Sequence, residues 1–180
     1  MQDIEVDVTR AALKAGRHNF RYVRECVFLD RKGILRRASD EPFPVSFEDP
    51  PVRLFPTGDG RGYGIMASSL LKRGTFLAEY CAEVRDVRHR ARGPASYVSI
   101  ANINGRHNLD CWQFSNWAAW INHTDPPGAN VVASSFGLHG TRVAIHVGDV
   151  DIESGSELLL CYAPGVTAYF EACARDAGER

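Results

Sequence analysis

Three short stretches of this chain carry residue types able to do chemistry at close quarters. In "GDGRGYGI", residues 58–65, Gly62 and Gly64 flank Tyr63 just before an apolar run. Glycines there let backbone amide and carbonyl groups approach a ligand, and an ordinary tight turn asks for the same residues. The order is not that of a dinucleotide fingerprint, because the strand follows the glycines and no helix opens on them. In "SNWAAWINHTDPPGANVV", residues 115–132, two tryptophans precede the pair Asn122-His123 and two prolines follow it. A carboxamide beside an imidazole offers donors and acceptors to a polar ligand, and makes an equally good polar turn. In "DIESGSELLLCYAP", a turn at Ser154-Gly155 leads into an apolar strand that delivers Tyr162.

The elements that position these residues read as a β-rich domain. From residue 52 onward, short runs such as "VRLF", "GIMA", "TFLAEY", "YVSI", "NVVASSF", "TRVAIHV" and "ELLLCY" alternate with turns containing Gly, Pro or Asp. Helices are expected only around Gln113 to Ile121 and at the end, where Val166, Phe170, Cys173 and Ala174 share one face. Before residue 52 the chain predicts a helix around Val8 to Lys14, a strand in "RYVRECVFLD", and a Pro-rich linker or wrap in "SDEPFPVSFEDPP". The reading is therefore a flank over 1–51, a domain over 52–164 and a C-terminal helical flank over 165–180.

Composition narrows the function classes. With 180 residues, 44% hydrophobic and 24% charged, the chain suits one domain with a real core. A formal net charge of -1 gives no global attraction to nucleic acid or to an anionic membrane, so direct nucleic-acid binding is not expected. "RDVRHRAR" reads as a solvated connector before it reads as a holder of an acidic partner or a nucleic-acid backbone, and "RKGILRR" is discounted in the same way as a nuclear-import signal. No stretch approaches a membrane span, and "MQDIEVDVTR" lacks a signal-peptide layout, which points to an intracellular protein. The five cysteines are scattered and the six histidines show no paired helical spacing, so neither a metal site nor a disulfide framework is expected.

Taken in order, the motifs resemble those of the SET-domain family of protein lysine methyltransferases. "GRGYGIMASSLLKRGTFLAEY" is similar to the family's glycine-flanked opening and K-G-x-x-x-x-E-Y turn. "LDCWQFSNWAAWINHTDPPGAN" is similar to its central I-N-H segment, and "TRVAIHVGDVDIESGSELLLCY" to its closing R-I, D-I, G-x-E-L and terminal Tyr. The resemblance implies a mainly β fold of several small sheets with few short helices. Its central and closing segments would cross as a pseudoknot, an exception to unknotted connections. It implies S-adenosylmethionine as cofactor, with Gly62, Tyr63 and Gly64 lining its methionine end. Asn122 and His123 would hold its amino group and adenine, with Tyr97 packing beside it. Tyr162 would be the catalytic tyrosine, acting on a lysine of a protein or peptide. A histone is the candidate substrate, and the nucleus and a chromatin complex are the implied setting.

That chemistry accounts for the residue types. With a reference pKa near 10.4, roughly one lysine in a thousand is neutral near pH 7.4, a penalty of about 4 kcal/mol. A narrow apolar channel lowers that pKa by desolvation. Transfer from a sulfonium then rests on alignment and on oxygens around the methyl and the amine.

The chain departs from the family at Ala82, Ala119-Trp120, Thr124-Asp125 and Cys161. Leu160 stands where an aromatic residue commonly sets the number of methyl groups. "SNW" and "ELLLCY" lean toward the PR-domain branch, which includes partner-binding proteins. A weakly active or inactive SET domain serving as an interaction module is therefore the alternative. No cysteine triplet follows the domain, only Cys173, so the lysine channel must be completed by the C-terminal helix, a partner or the N-terminal flank.

Overall fold

The structure, a computed structural model, describes residues 3–29, 34–37, 51–86, 107–136 and 142–162. It opens on a helix whose two ends are written in its sequence. The Asp3 carboxylate accepts the Glu5 N–H at 3.0 Å, Glu5 and Asp7 occupy the first turn, and α1 runs Ile4–Lys14. Acceptors and negative charge there satisfy unpaired amides and the positive end of the helix dipole. The helix thus begins a turn earlier than its apolar spacing predicts. Gly16, at φ 77°, lets the Gly16 and Arg17 amides return to the Leu13 and Ala12 carbonyls and close it. Ile4, Val8, Ala11 and Ala12 form its buried face, and Ile4, Val8 and Ala12 enter the main core cluster.

Twelve strands follow among the described residues: β1 Arg21–Tyr22, β2 Val27–Leu29, β3 Leu35–Arg37, β4 Val52–Pro56, β5 Tyr63–Ala67, β6 Phe76–Glu79, β7 Ala82–Asp86, β8 His107–Ser115, β9 Asn122–His123, β10 Val131–Phe136, β11 Arg142–Val147 and β12 Leu159–Leu160. They form a five-stranded sheet ordered β1-β8-β7-β2-β3, a second ordered β6-β11-β10-β12-β9, and a two-stranded sheet of β4 and β5. The small sheets expected from the sequence are present. Their inner faces share one core, in which Ile65, Leu77, Leu109, Ile121, Ile145 and Leu158 are almost wholly excluded from solvent.

Two expectations about elements need correction. "RYVRECVFLD" is not one strand but two, on different partners. β1 lies parallel to β8 and β2 lies between β7 and β3, while the chain bends at Arg24-Glu25. Both bend residues face outward into ion pairs, Arg24 with Glu5 and Glu25 with Arg37. The helix expected at Gln113–Ile121 is a strand as far as Ser115, then a single 3-10 turn, Trp117–Trp120. Here sheet pairing overrides local propensity, because β8 is bonded on both edges, to β1 and to β7. Asn116 ends it, its amide donating to the Glu79 carbonyl at 2.7 Å while its oxygen accepts the Cys81 N–H at 3.2 Å. The C-terminal helix, the Pro-rich linker and most of "RDVRHRAR" lie outside the described residues.

Two charged groups sit deep in the sheets. Glu79 and Arg142 form a two-armed pair at 2.9 and 2.7 Å with both side chains nearly solvent-free. Arg17, 3% exposed, donates to the Trp112 carbonyl at 2.8 Å and to the Cys111 carbonyl. Its guanidinium also lies over the rings of Phe20, Trp112 and Trp120. Residues just after α1 are thereby fixed to β8 and to the 3-10 turn that leads into β9.

Candidate active site

The site forms where the closing segment passes through the central one. β12 lies parallel to β9 on one side and to β10 on the other, although β9 and β10 are consecutive in sequence. The connection over residues 124–130 must therefore pass across β12. Backbone bonds hold that crossing: the Thr124 N–H donates to the Leu160 carbonyl at 3.1 Å and the Asn130 N–H to the Leu159 carbonyl at 3.0 Å. The Asn130 side chain adds two more, donating to the Glu157 carbonyl and accepting the Leu159 N–H, both at 2.8 Å. The connection itself contains the cis Pro126-Pro127 bond.

On one flank of the crossing, Asn122 meets the glycine turn. Its Nδ2 donates to the Tyr63 carbonyl at 3.2 Å and to Glu157 Oε1 at 2.9 Å. Two acceptors on one atom fix the amide's orientation, since the flipped amide would set oxygen against oxygen. Glu157 arrives there because the Gly155 amide bonds the Ala67 carbonyl and the Leu158 amide bonds the Ile65 carbonyl, laying residues 155–158 along β5. Arg61 grips the same carboxylate with two nitrogens, at 3.1 and 2.9 Å, and Asp59 with its Nε at 2.7 Å. That carboxylate pushes the Arg61 guanidinium further above its ordinary range.

The two glycines serve different physical needs. Gly62 sits at φ 87°, a conformation that side chains strain. Gly64 is required by space: a Cβ there would lie 2.7 Å from Glu157 Oε1 and 2.8 Å from Asn122 Nδ2. Here the close approach is made by the chain's own polar side chains.

On the other flank, His123 meets Tyr162. The Tyr162 N–H donates to His123 Nδ1 at 3.1 Å, which leaves the ring proton on Nε2, 3.3 Å from Asp125 Oδ1. The two rings stack at a tilt, 5.1 Å between centroids. The Tyr162 hydroxyl donates to the carbonyl of Ile121, the residue before Asn122. Burial pushes the Tyr162 phenol well above its ordinary range, so it stays protonated at any physiological pH. Tyr63 packs edge-on to Trp120 at 6.1 Å, and the buried Trp120 Nε1 has no hydrogen-bond partner among the described residues.

Of the residues singled out in the sequence, Gly62, Tyr63, Gly64 and Asn122 come together on one flank, and His123 and Tyr162 on the other. Tyr97 lies outside the described residues. Sequence reasoning missed Glu157, Arg61 and the Ile121 carbonyl. For Glu157 a signal existed, since it is the acid of the G-x-E-L motif. Leu160, which stands where an aromatic residue is common in the family, is 3% exposed and belongs to the main core. Cys26, Cys81 and Cys111 are buried free thiols, and Cys161 is half-buried. Among the described residues no helix is long and apolar enough to cross a membrane.

A fold of small sheets, with an Asn-His strand and a Tyr-bearing strand crossing beside a glycine turn, defines the SET class of domain. The SET domain family model matches residues 62–163, and the chain belongs to that family. Among curated proteins it is similar to the histone-lysine N-methyltransferase SUV39H2 of Xenopus tropicalis, 26% identical over 136 residues, covering 68% of this chain and 33% of that protein. It is also similar to the histone-lysine N-methyltransferase Su(var)3-9 of Drosophila melanogaster, 28% identical over 92 residues, covering 45% of this chain and 14% of that protein. The chain thus spans a third or less of the length of these relatives. Among solved structures, the Chaetomium thermophilum polycomb repressive complex 2 matches with a TM-score of 0.52 at 21% identity, over 62% of this chain and 15% of that one. A ctPRC2 in an autoinhibited conformation bound to S-adenosylmethionine matches with a TM-score of 0.52 at 21% identity, over 70% of this chain and 17% of that one. At these identities the structures speak for the fold.

Proposed function

We propose that this domain transfers a methyl group from S-adenosylmethionine to a lysine side chain of a protein, with a nuclear histone as the candidate substrate. The observation that carries the reading is the crossing itself, which sets Asn122, His123 and Tyr162 around one point in the chain order of a SET domain. The named histone-lysine methyltransferases among the relatives support the substrate class.

The residues present suit that cofactor. Asn122 keeps its carboxamide oxygen as an acceptor for an ammonium group, because its nitrogen is committed to Tyr63 and Glu157. The orphaned Trp120 Nε1 beside Tyr63 is a donor of the kind a carboxylate or ribose oxygen satisfies. When bound, S-adenosylmethionine supplies an electrophilic methyl on a positively charged sulfur. The chain's task is orientation. By donating its proton to Ile121, the Tyr162 hydroxyl turns its lone pairs away from that carbonyl, where they can face positive charge. The raised phenol pKa makes Tyr162 an oriented dipole and not a general base, so it is not the group that deprotonates an incoming lysine. Gly62, Tyr63 and Gly64 would lie along the methionine end, with Tyr97 as a further contact.

Calorimetry with S-adenosylhomocysteine, followed by methyl transfer to a histone mixture, tests the reading. Binding is expected in the wild type and abolished by Asn122→Ala, and transfer is expected to fall at least 100-fold in Tyr162→Phe, of the order of losing one aligned oxygen contact. No heat at millimolar ligand refutes the cofactor assignment, and equal transfer by wild type and Tyr162→Phe refutes the role of Tyr162.

A further inference from the structure

We infer that Glu157, anchored by Arg61, is a positioning residue that locks the Asn122 carboxamide with its oxygen toward the cofactor's amino group. The inference rests on the cofactor reading above. Its physical content is a rotamer argument. A free Asn side chain presents oxygen and nitrogen in either sense, because its terminal torsion is broad and nearly two-fold. Only an Asn whose nitrogen is spoken for offers an ammonium its oxygen every time. Here two acceptors hold the nitrogen, and the shorter bond, 2.9 Å, goes to Glu157 Oε1. The Tyr63 carbonyl alone, at 3.2 Å, is the weaker tether, since it is neutral while the carboxylate is charged.

Arg61 completes the device. A lone carboxylate at this place would be free to swing into solvent, because the Glu157 side chain is 18% exposed. The Arg61 fork binds both oxygens at once, so Oε1 is fixed in the plane that reaches Asn122. Asp59 in turn holds Arg61 through its Nε. The result is a chain of charge-assisted bonds, Asp59 to Arg61 to Glu157 to Asn122, that runs from the surface turn of residues 58–61 to the cofactor contact. Gly64 leaves the space this chain of bonds needs, since a Cβ there would stand 2.7 Å from Glu157 Oε1 and 2.8 Å from Asn122 Nδ2.

The test separates orientation from general structure. Calorimetry compares S-adenosylhomocysteine with its analogue lacking the amino group, on wild type, Glu157→Ala and Glu157→Gln. In Glu157→Ala, affinity for S-adenosylhomocysteine is expected to fall about tenfold, as for loss of an aligned bond to a charged group, with the amine-free analogue unchanged within twofold. Glu157→Gln, whose amide oxygen still accepts from Asn122, is expected to recover most of that loss. In the ligand-free protein, the two side-chain N–H resonances of Asn122 are expected displaced from the positions of a free asparagine in wild type and Glu157→Gln, and moved toward those positions in Glu157→Ala. Equal weakening of both ligands, or Asn122 resonances unmoved by Glu157→Ala, overturns the inference while leaving the cofactor reading intact. Wild-type protein that binds neither ligand overturns the cofactor reading and this inference with it.

Discussion

Substituting Gly64 by Ala probes the packing of the site with one methyl group. The backbone at Gly64 accommodates any residue, so the whole effect comes from space. The new Cβ would stand 2.7 Å from Glu157 Oε1, 2.8 Å from Asn122 Nδ2 and 3.0 Å from Phe55 Cε1. Those first two atoms are bonded to each other at 2.9 Å, so moving either breaks their hydrogen bond. Overpacking costs about 1–3 kcal/mol, and a hydrogen bond to a charged acceptor is worth about 1.5 kcal/mol or more. A total near 3 kcal/mol lowers the melting temperature of a chain this size by about 6–12 °C. Gly58→Ala is the control, since nothing lies within 4 Å of its added Cβ and only its φ of 76° resists. It costs about 1–2 kcal/mol of backbone strain. Thermal unfolding and calorimetry on both variants read the difference. If Gly64→Ala melts within 2 °C of wild type, or only as far below it as Gly58→Ala, the close packing of Asn122 and Glu157 on Gly64 is wrong.

Two further outcomes follow from buried groups. Arg17→Ala should destabilise the protein by about 2–4 kcal/mol in urea unfolding, having lost bonds to two buried carbonyls and its seat over aromatic rings. Arg17→Lys should recover less than half of that, because a single ammonium cannot reproduce the planar fork. Burial pushes the Cys111 thiol from 9.0 up to about 12, so folding keeps a proton that the unfolded chain releases. The contribution is fully present below pH 9 and is lost as pH rises toward 12, so stability should decline across that window, and Cys111→Ala should make the decline shallower. A pH-independent stability between 9 and 11 in the wild type would contradict the burial of that thiol.

What the sequence disclosed was the set of short strands and the order of the motifs; what it concealed was which strand each residue would lean on. "RYVRECVFLD" alternates well enough for one strand, but alternation says nothing about partners, and its two halves joined β8 and β7 instead. "CWQFSNWAAWI" holds apolar residues at helical spacing too, yet a strand bonded on both edges claimed its first half. At the site, Gly62, Asn122 and Tyr162 stood out because Gly, a polar pair just after two tryptophans, and a phenol at a strand end are each locally unusual. Glu157 was passed over despite its place in the G-x-E-L motif, because an acid after a turn is ordinarily solvated. Only the return of residues 155–158 along β5 brought it to Asn122, 35 positions away in sequence. The Ile121 carbonyl was beyond any reading of side chains, because its role depends on where the backbone points.

The placement of β12 between β9 and β10 also sets a schedule. As the chain leaves the ribosome, β9 and β10 emerge before β12, the strand that separates them in the folded sheet. Asn122 and His123 then lack Glu157 and Tyr162, which are still unsynthesised. The place between β9 and β10 is filled by a segment nearly 40 residues downstream, by parallel pairing, the kind of long-range closure that is slow and leaves edges open meanwhile. A nascent or truncated chain ending short of residue 157 thus owns most of the core but only half of the site, with Asn122 and His123 present and neither Glu157 nor Tyr162 to hold them.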